Sequence, residues 1–570
     1  MSQGPANGRL LRAIVLAVVA AGLLTPIMAG LWQTARAGFG VLPVIGATEP
    51  SLAPLQVFLS QPGLWASLRA TLISGIGSSV LALGLAVGLA AVAQRRLQAG
   101  LGARLLVPFL ATPHAAVAIG LAFVLAPSGW IARLIAPVMG LTAPPGIASV
   151  GDPYGIALMV GLTLKEMPFL LLMILSALGQ IRLRQTMAVG RSLGYGRGLV
   201  WIKVILPQIW PLIRLPMLVV IAYALSVVDM ALILGPSNPP TLAVMLMRLF
   251  SDPDIAMLLP ASAGALVQLV LVVAAFGALW LVERALRPIG LWWLRRGGRG
   301  ASAEPGLKAA AAAATALFGL GVAGFAALAV WSLAWRWSWP HILPQSWSTK
   351  AWLRGSDGWL EALGTTLGLA LTTTALALIV TIAWLEGEDR AGRGRATWAE
   401  ALVYLPLLLP QIGFLYGLNI LFLRTGVMIH FWAVVWAQTL FVFPYVMIAM
   451  TGPWRALDPH LVRAAGALGA GPWRRLFAVK LPVLLRPILT AAAVGVAVSV
   501  AQYLPTLFMG AGRVATLTTE AVALSSGSDR RITAVYAVLQ ALVPLAGYAL
   551  AFAIPAVAHH NRRALKGNDT

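Results

Sequence analysis

The 570-residue chain contains no cysteine, which excludes disulfide bonds, thiolate metal sites and cysteine nucleophiles together. Its six histidines form no H-E-x-x-H pair and no other spaced set of metal ligands. The G-x-x-x-x-G-K-[ST] loop that holds nucleotide phosphates is also missing, as are paired catalytic carboxylates and a nucleophile elbow. We therefore assign no catalytic residue, no metal and no cofactor, and we do not expect an enzyme.

Charge is scarce as well. Only 10% of the residues are charged, whereas soluble domains carry about 25%. The chain is 59% hydrophobic with a mean hydropathy of +0.85, so a water-soluble core could not bury its apolar surface and a lipid bilayer must be its solvent. The net charge of +23 does not indicate nucleic acid as a partner, because the basic residues form short clusters between apolar stretches.

The apolar stretches predict an all-α integral membrane protein with about twelve spans. A hydrocarbon core of about 30 Å requires about 20 helical residues. Stretches of that length occur at 10–32, 68–94, 103–126, 153–178, 213–234 and 259–282, and again at 307–333, 361–384, 399–423, 430–451, 487–508 and 534–558.

The lysines and arginines between these spans predict their orientation. With the N-terminus inside, 29 of the 41 basic residues lie in or beside the inner segments, 10 lie in or beside the outer segments, and Arg69 and Lys165 fall within spans. Because cytoplasmic loops carry the excess of basic residues, we expect both termini to be cytoplasmic.

An internal repeat divides the chain into two six-span halves. Gly194 precedes a Leu-Pro pair, Leu206-Pro207, and Gly469 precedes Leu481-Pro482 at the same spacing, 275 residues later. The stretch from Pro113 to Gly120 likewise matches that from Pro410 to Gly417. We predict a first half at 1–290 with an inner loop at 179–212, a cytoplasmic linker at 291–306, and a second half at 307–570 with an inner loop at 452–486.

Both inner loops are too apolar for a solvated connector and too charged to cross the membrane. We expect short helices on either side of Gly194 and Gly469, with each glycine at positive φ and each proline at the start of a membrane helix. One interpretation is an amphipathic loop lying on lipid headgroups. The interpretation that we prefer is a protein-docking element, because the loop occurs twice at identical spacing.

These loops resemble the EAA loop of permease subunits in ATP-binding-cassette (ABC) importers, which reads E-A-A-x-x-x-G followed by x9-I-x-L-P. Gly194, Leu206 and Pro207 match in the first loop, and Ala464, Ala465, Gly469, Leu481 and Pro482 match in the second. The motif's glutamate is replaced by Ala188 and Arg463, its alanines by Val189 and Gly190 in the first loop, and its isoleucine by Val204 and Val479. Two fused halves further resemble the ferric-iron, thiamine and sulfate-like importers, and residues 502–526 resemble YnjC-type fused permeases.

The resemblance implies two tandem type I importer permease halves in a bacterial inner membrane. It implies that the eight matched residues couple the chain to a cytoplasmic ABC ATPase, expected to be a dimer, which would bind the ATP. It also implies a periplasmic substrate-binding protein as a partner. The alternative is a secondary active transporter with two parallel six-helix repeats. Iron, thiamine, sulfate and polyamine importers share this scaffold, so the resemblance does not select a substrate.

Charged residues within spans are costly and therefore mark functional candidates. Lys165 and Glu166 lie in the fourth predicted span and Asp229 lies in the fifth. At about 1.5 Å per residue, Lys165 and Asp229 lie about 20 and 24 Å from the cytoplasmic side, which predicts an ion pair between them. The second half has Phe441, Val442 and Gln502 at the matching positions. The pair could fix helix register or lie on the substrate path.

Overall fold

The structure is a computed structural model that describes residues 5–98, 101–300, 302–392, 399, 402–426, 430–527 and 529–558, and these residues are predominantly helical. Within them, ten helices are long and apolar enough to cross a bilayer. A further span is bent by 76° between Pro472–Val483 and Leu485–Ala501, and the apolar helix Gln411–Phe422 is shorter than the others. The predicted class, an all-α membrane protein, is confirmed.

The elements of the first half follow in chain order. They are α1 (Pro5–Val19), a π turn (Ala20–Leu24), α2 (Thr25–Gly38), a 3-10 turn (Pro43–Ile45), α3 (Ala53–Leu59), α4 (Leu64–Gln98), α5 (Leu101–Ala111), α6 (His114–Leu125), α7 (Trp130–Met139), α8 (Ile156–Leu178), α9 (Leu183–Ser192), α10 (Arg197–Val200), a π turn (Trp201–Ile205), α11 (Leu206–Ser226), α12 (Asp229–Leu234), α13 (Leu242–Phe250), a 3-10 turn (Ile255–Met257) and α14 (Leu258–Arg295).

The second half repeats most of this order. Its elements are α15 (Glu304–Leu333), strands β1 (Ala334–Arg336) and β2 (Ser346–Trp347), α16 (Lys350–Arg354), α17 (Ser356–Ala391), α18 (Leu405–Leu408), α19 (Gln411–Thr425), α20 (His430–Arg455), α21 (Pro459–Ala467), α22 (Pro472–Arg475), a π turn (Leu476–Lys480), α23 (Leu481–Val483), α24 (Leu485–Ala501), α25 (Leu504–Gly510), α26 (Leu517–Ser525) and α27 (Arg530–Ala558). The two strands pair antiparallel in a short hairpin.

The first span of each half packs against the other half. Helix α1 lies on α17 and α2 lies on α19, while α15 lies on α4 and α6. Helix α17 corresponds to α4 in the repeat, and α19 corresponds to α6. The exchange is therefore reciprocal, and it joins the halves through helix packing as well as through the linker.

Glycines allow these exchanged helices to approach closely. A side chain at Gly417 on α19 would lie 2.0 Å from the carbonyl oxygen of Gly30 on α2. At the matching contact, a side chain at Gly120 on α6 would lie 2.8 Å from the carbonyl oxygen of Gly324 on α15. Small residues serve this purpose in membranes, where helices associate by close packing.

Two of the predicted spans in the first half are broken helices. The third span is interrupted at Thr112 and Pro113, since proline lacks the amide hydrogen and restricts the residue before it. The helix of the fifth span ends at Ser226, whose hydroxyl donates to the carbonyl of Ala222, and Val227 is extended. Asp229 is consequently the first residue of the separate helix α12, and its counterpart at the start of α25 is Leu504, not Gln502 as the sequence alignment suggested.

Candidate functional site

The two inner loops have the same backbone construction. We name residues 183–207 the first repeat loop and residues 459–482 the second repeat loop. Each contains a helix, a glycine, a four-residue helix, a π turn and a Leu-Pro pair, and from the glycine onward each element lies 275 residues after its counterpart. Gly194 has a φ of 81° and Gly469 a φ of 80°, so the predicted left-handed turn occurs in both loops.

The same hydrogen bonds close both turns. Tyr195 donates its amide hydrogen to the Gly190 carbonyl at 3.1 Å, and Ala470 donates to the Ala465 carbonyl at 3.0 Å. The amide of Leu468 also reaches the Ala464 carbonyl at 3.1 Å. Glycine-ended helices commonly satisfy their last carbonyls in this way. The alanines of the second loop therefore supply acceptors at the turn.

The Leu-Pro pairs begin the helices that follow the loops. Leu206 and Pro207 are the first two residues of α11, and Leu481 and Pro482 are the first two of α23. Proline is tolerated there because the first amides of a helix have no partner within the helix. All eight residues that the resemblance singled out thus lie in the two repeat loops or where the loops join the membrane helices.

Each loop presents leucine beside its glycine. Leu193 is 53% exposed and Leu468 is 88% exposed. Val189 and Leu461 are exposed on the preceding helices, α9 and α21. Neither loop buries these apolar side chains against the described part of the chain, so both leave an apolar surface available to a partner.

A buried lysine anchors the second repeat loop to the membrane helices. The Lys480 ammonium donates to Glu386 Oε2 at 2.6 Å and to Asp389 Oδ2 at 2.5 Å, and both acceptors lie on the last turns of α17. The Trp454 indole of α20 also donates to Asp389 Oδ2, at 3.0 Å. Sequence reasoning missed this network, although the acidic stretch Glu386–Asp389 in a charge-poor chain was a usable signal.

A different contact anchors the first repeat loop. The Lys203 ammonium donates to the Gly298 carbonyl at 3.1 Å and lies 4.4 Å from the centre of the Trp293 ring. The amide of Gly196 donates to the Gly300 carbonyl at 2.9 Å. The connection between the two halves therefore rests on the first repeat loop, so the two loops have different surroundings despite their shared backbone.

The structure does not form the predicted ion pair between Lys165 and Asp229. The Lys165 ammonium instead donates to the carbonyls of Phe109, Leu110 and Thr112, at 2.9, 3.1 and 2.6 Å. These carbonyls end α5 at the break before Pro113, where no helical amide can reach them. The prediction was wrong because it used depth alone and assumed an unbroken third span.

Five polar side chains of the first half nevertheless lie together in the membrane region. Glu166 Oε1 is 3.7 Å from His114 Nε2, and the His114 ring lies 4.6 Å from the Tyr223 ring between centroids. The Tyr223 hydroxyl lies near the Asp229 carboxylate. We name His114, Lys165, Glu166, Tyr223 and Asp229 the intramembrane polar cluster. His114 and Tyr223 were not singled out from the sequence. The charged residues Lys165, Glu166 and Asp229 in the neighbouring spans could have indicated that polar partners lie close to them.

The second half contributes aromatic residues to the same region. Tyr445 on α20 lies within electrostatic range of Glu166 and Tyr223, and Tyr503, just before α25, lies within range of Asp229. The cluster therefore lies where the two halves meet. Within the described residues, no group of three or more histidines and carboxylates has a geometry that could hold a metal ion.

Comparison with known proteins agrees with this architecture. The family model of the binding-protein-dependent transport system inner membrane component matches residues 389–558. The inner membrane ABC transporter permease protein YnjC of Escherichia coli (strain K12) is 35% identical over 510 residues, covering 88% of this chain and 90% of that protein. The molybdenum transport system permease protein ModB of Azotobacter vinelandii is 31% identical over 166 residues, covering 26% of this chain and 73% of that protein. This chain therefore belongs to the permease family of binding-protein-dependent ABC transporters.

Proposed function

We propose that this permease is driven by a separate cytoplasmic ABC ATPase, expected to be a dimer, whose two subunits dock on the first and second repeat loops. The duplicated loop geometry is the observation that carries the proposal. Two surfaces with the same backbone suit two copies of one partner, and each offers an exposed leucine beside its glycine turn. The chain itself has no nucleotide-binding loop, so the ATP would be bound by the partner.

The anchoring contacts support a mechanical connection between docking and transport. A displacement of the second repeat loop would move Lys480 and, through it, the end of α17 at Glu386 and Asp389. A displacement of the first repeat loop would act on the connection between the halves through Lys203. Binding energy at each loop would thus be transmitted to membrane helices of both halves.

The orientation in this proposal places the repeat loops and both termini in the cytoplasm. It rests on the excess of lysine and arginine on that side. Reporter fusions after residues 190, 297 and 465 are then expected to be cytoplasmic, and fusions near 45, 245, 345 and 520 to be periplasmic. A periplasmic reporter at 190 or 465 would rule out docking of a cytoplasmic ATPase on these loops. On the outer face, a periplasmic substrate-binding protein would deliver the solute.

Replacing the exposed leucines tests the docking. We expect Leu193→Glu and Leu468→Glu, made together, to abolish co-purification with the partner ABC ATPase, because a charge replaces apolar contact area. Leu343→Glu is the matched control, since Leu343 is 59% exposed and lies in the predicted outer segment after α15. Undiminished co-purification of the double variant would contradict the proposal.

The glycine turns provide a second test. We expect Gly194→Arg and Gly469→Arg to weaken ATPase docking while the permease remains in the membrane. A side chain at positive φ strains the turn, at a cost of about 1–2 kcal/mol. The space beside Gly469 is open, so backbone strain and the added bulk on the docking surface act there without an internal clash. Normal co-purification with both changes present would argue against docking at these loops.

A further inference from the structure

The Glu166 carboxylate has an unusual position in the membrane. Glu166 is the eleventh of the 23 residues of α8, so it lies near the middle of that span. Only 7% of its surface is exposed, yet its carboxylate accepts no hydrogen bond from the described residues. The nearest charged contact is His114 Nε2, at 3.7 Å, which is beyond hydrogen-bonding distance. A buried carboxylate without a donor is costly unless something else compensates it.

Lys165 does not supply a hydrogen bond to Glu166. Its ammonium has three hydrogens, and it donates to the three carbonyls at the end of α5. Because these bonds hold the ammonium at the break before Pro113, Lys165 supplies no hydrogen bond to Glu166 or to Asp229. The cluster therefore combines two carboxylates with one lysine that is already occupied.

Three tyrosine side chains lie near these carboxylates. The Tyr223 ring packs on the His114 ring, and Tyr223 lies near Asp229. Tyr445 and Tyr503 approach from the second half. Carboxylate oxygens together with aromatic ring faces are the groups that proteins use to bind organic cations. A bare metal ion would need a tighter set of ligands, and no such set occurs in the described part of the chain.

The breaks in the helices bring the cluster to the boundary between the halves. His114 is the first residue after the break in the third span, and Asp229 is the first residue after the break in the fifth. Broken membrane helices at a boundary between repeats line the solute sites of secondary transporters, and this chain has the same kind of construction. In the second half the matching positions hold Gln411, Phe441, Val442 and Leu504, so the negative charge belongs to the first half alone.

We propose that the intramembrane polar cluster is a binding site for a positively charged organic solute, with Glu166 and Asp229 as its anionic groups and the tyrosines as its walls. This proposal rests on the transport function proposed above and specifies the class of solute. A solute with an ammonium or a similar cationic group would supply the missing partner of Glu166. Since the site draws on both halves, its shape would change as the halves move relative to each other.

Binding of a simple probe tests the site without knowledge of the natural solute. The purified permease–ATPase complex in lipid nanodiscs is titrated with benzyltrimethylammonium chloride, and the apparent Kd is taken from the rise of the unfolding midpoint. Sodium benzenesulfonate at equal ionic strength is the anionic counterpart. We expect saturable stabilisation by the cation only. Glu166→Gln and Asp229→Asn should each raise the apparent Kd by about tenfold or more, since each removes a charge-assisted contact.

Glu361→Gln is the control variant, because Glu361 is an exposed carboxylate at the start of α17, outside the cluster. Equal stabilisation by the anion, an unchanged Kd in the Glu166 and Asp229 variants, or no saturable effect of the cation on the wild type would each overturn the proposal. Stabilisation of the wild type by acid that Glu166→Gln removes would show that Glu166 holds a proton and would also overturn it. ATPase co-purification of the same variants should be normal, which separates this result from a failure of docking.

Discussion

At the scale of single residues, Lys165 shows what a charge in the membrane does here. It serves as the missing hydrogen-bond donor for the last carbonyls of α5, at a break that proline imposes. The sequence indicated that a lysine at mid-span must have partners, and the structure confirms that. The sequence could not identify these partners, because the carbonyls become available only through the helix break at Pro113.

Replacing Lys165 should be costly, because its hydrogen-bond partners are buried backbone carbonyls. We expect Lys165→Met to lower the free energy of unfolding by about 3–5 kcal/mol, because three buried carbonyls lose a charged donor. Denaturant titration in mixed micelles measures this, with the exposed Lys308→Met as the control. Because no direct ion pair joins the two residues, Asp229→Leu combined with Lys165→Met should be less stable than Lys165→Met alone. A double variant more stable than Lys165→Met alone would show that Lys165 and Asp229 form a direct ion pair.

At the scale of elements, the exchanged first spans depend on glycine contacts. We expect Gly417→Ala to destabilise the protein by about 2 kcal/mol, because the new methyl group would overlap the Gly30 carbonyl on α2. Gly319→Ala on α15 is the matched control, since nothing lies within 4 Å of its added carbon, and we expect no loss there. Thermal unfolding in detergent distinguishes the two. Equal stability of both variants would mean that α2 and α19 are not held this closely.

Also at the scale of elements, the second repeat loop depends on Lys480. We expect Lys480→Met to cost about 3 kcal/mol, because Glu386 is left buried with one partner fewer. Amide hydrogen exchange in residues 472–480 should rise, and ATPase binding should fall, while Lys350→Met on the predicted outer side changes neither. Unaltered exchange in the loop of the Lys480 variant would show that other contacts position it.

At the scale of the whole molecule, periodic and repeated features could be predicted and pairings in space could not. Apolar stretches predicted the membrane class, and the repeated Gly-to-Pro spacing predicted the left-handed turns at Gly194 and Gly469. The exchange of first spans could not be predicted, because the contact between Gly30 and Gly417 joins residues nearly 400 positions apart. Only part of the intramembrane polar cluster could be predicted from the sequence. His114 and Tyr223 belong to it because the helices are broken, whereas the hydropathy pattern predicts continuous spans there.

The central claim, that a separate ATPase docks on both repeat loops, can be tested directly by cross-linking. The chain has no cysteine, so Leu193→Cys and Leu468→Cys each introduce a single reactive thiol without background. Treatment of the permease–ATPase complex with a short thiol-to-amine cross-linker should join each variant to the ATPase, and Leu343→Cys should remain unlinked. Cross-linking of the ATPase through Leu343→Cys, or through neither loop, would contradict the account.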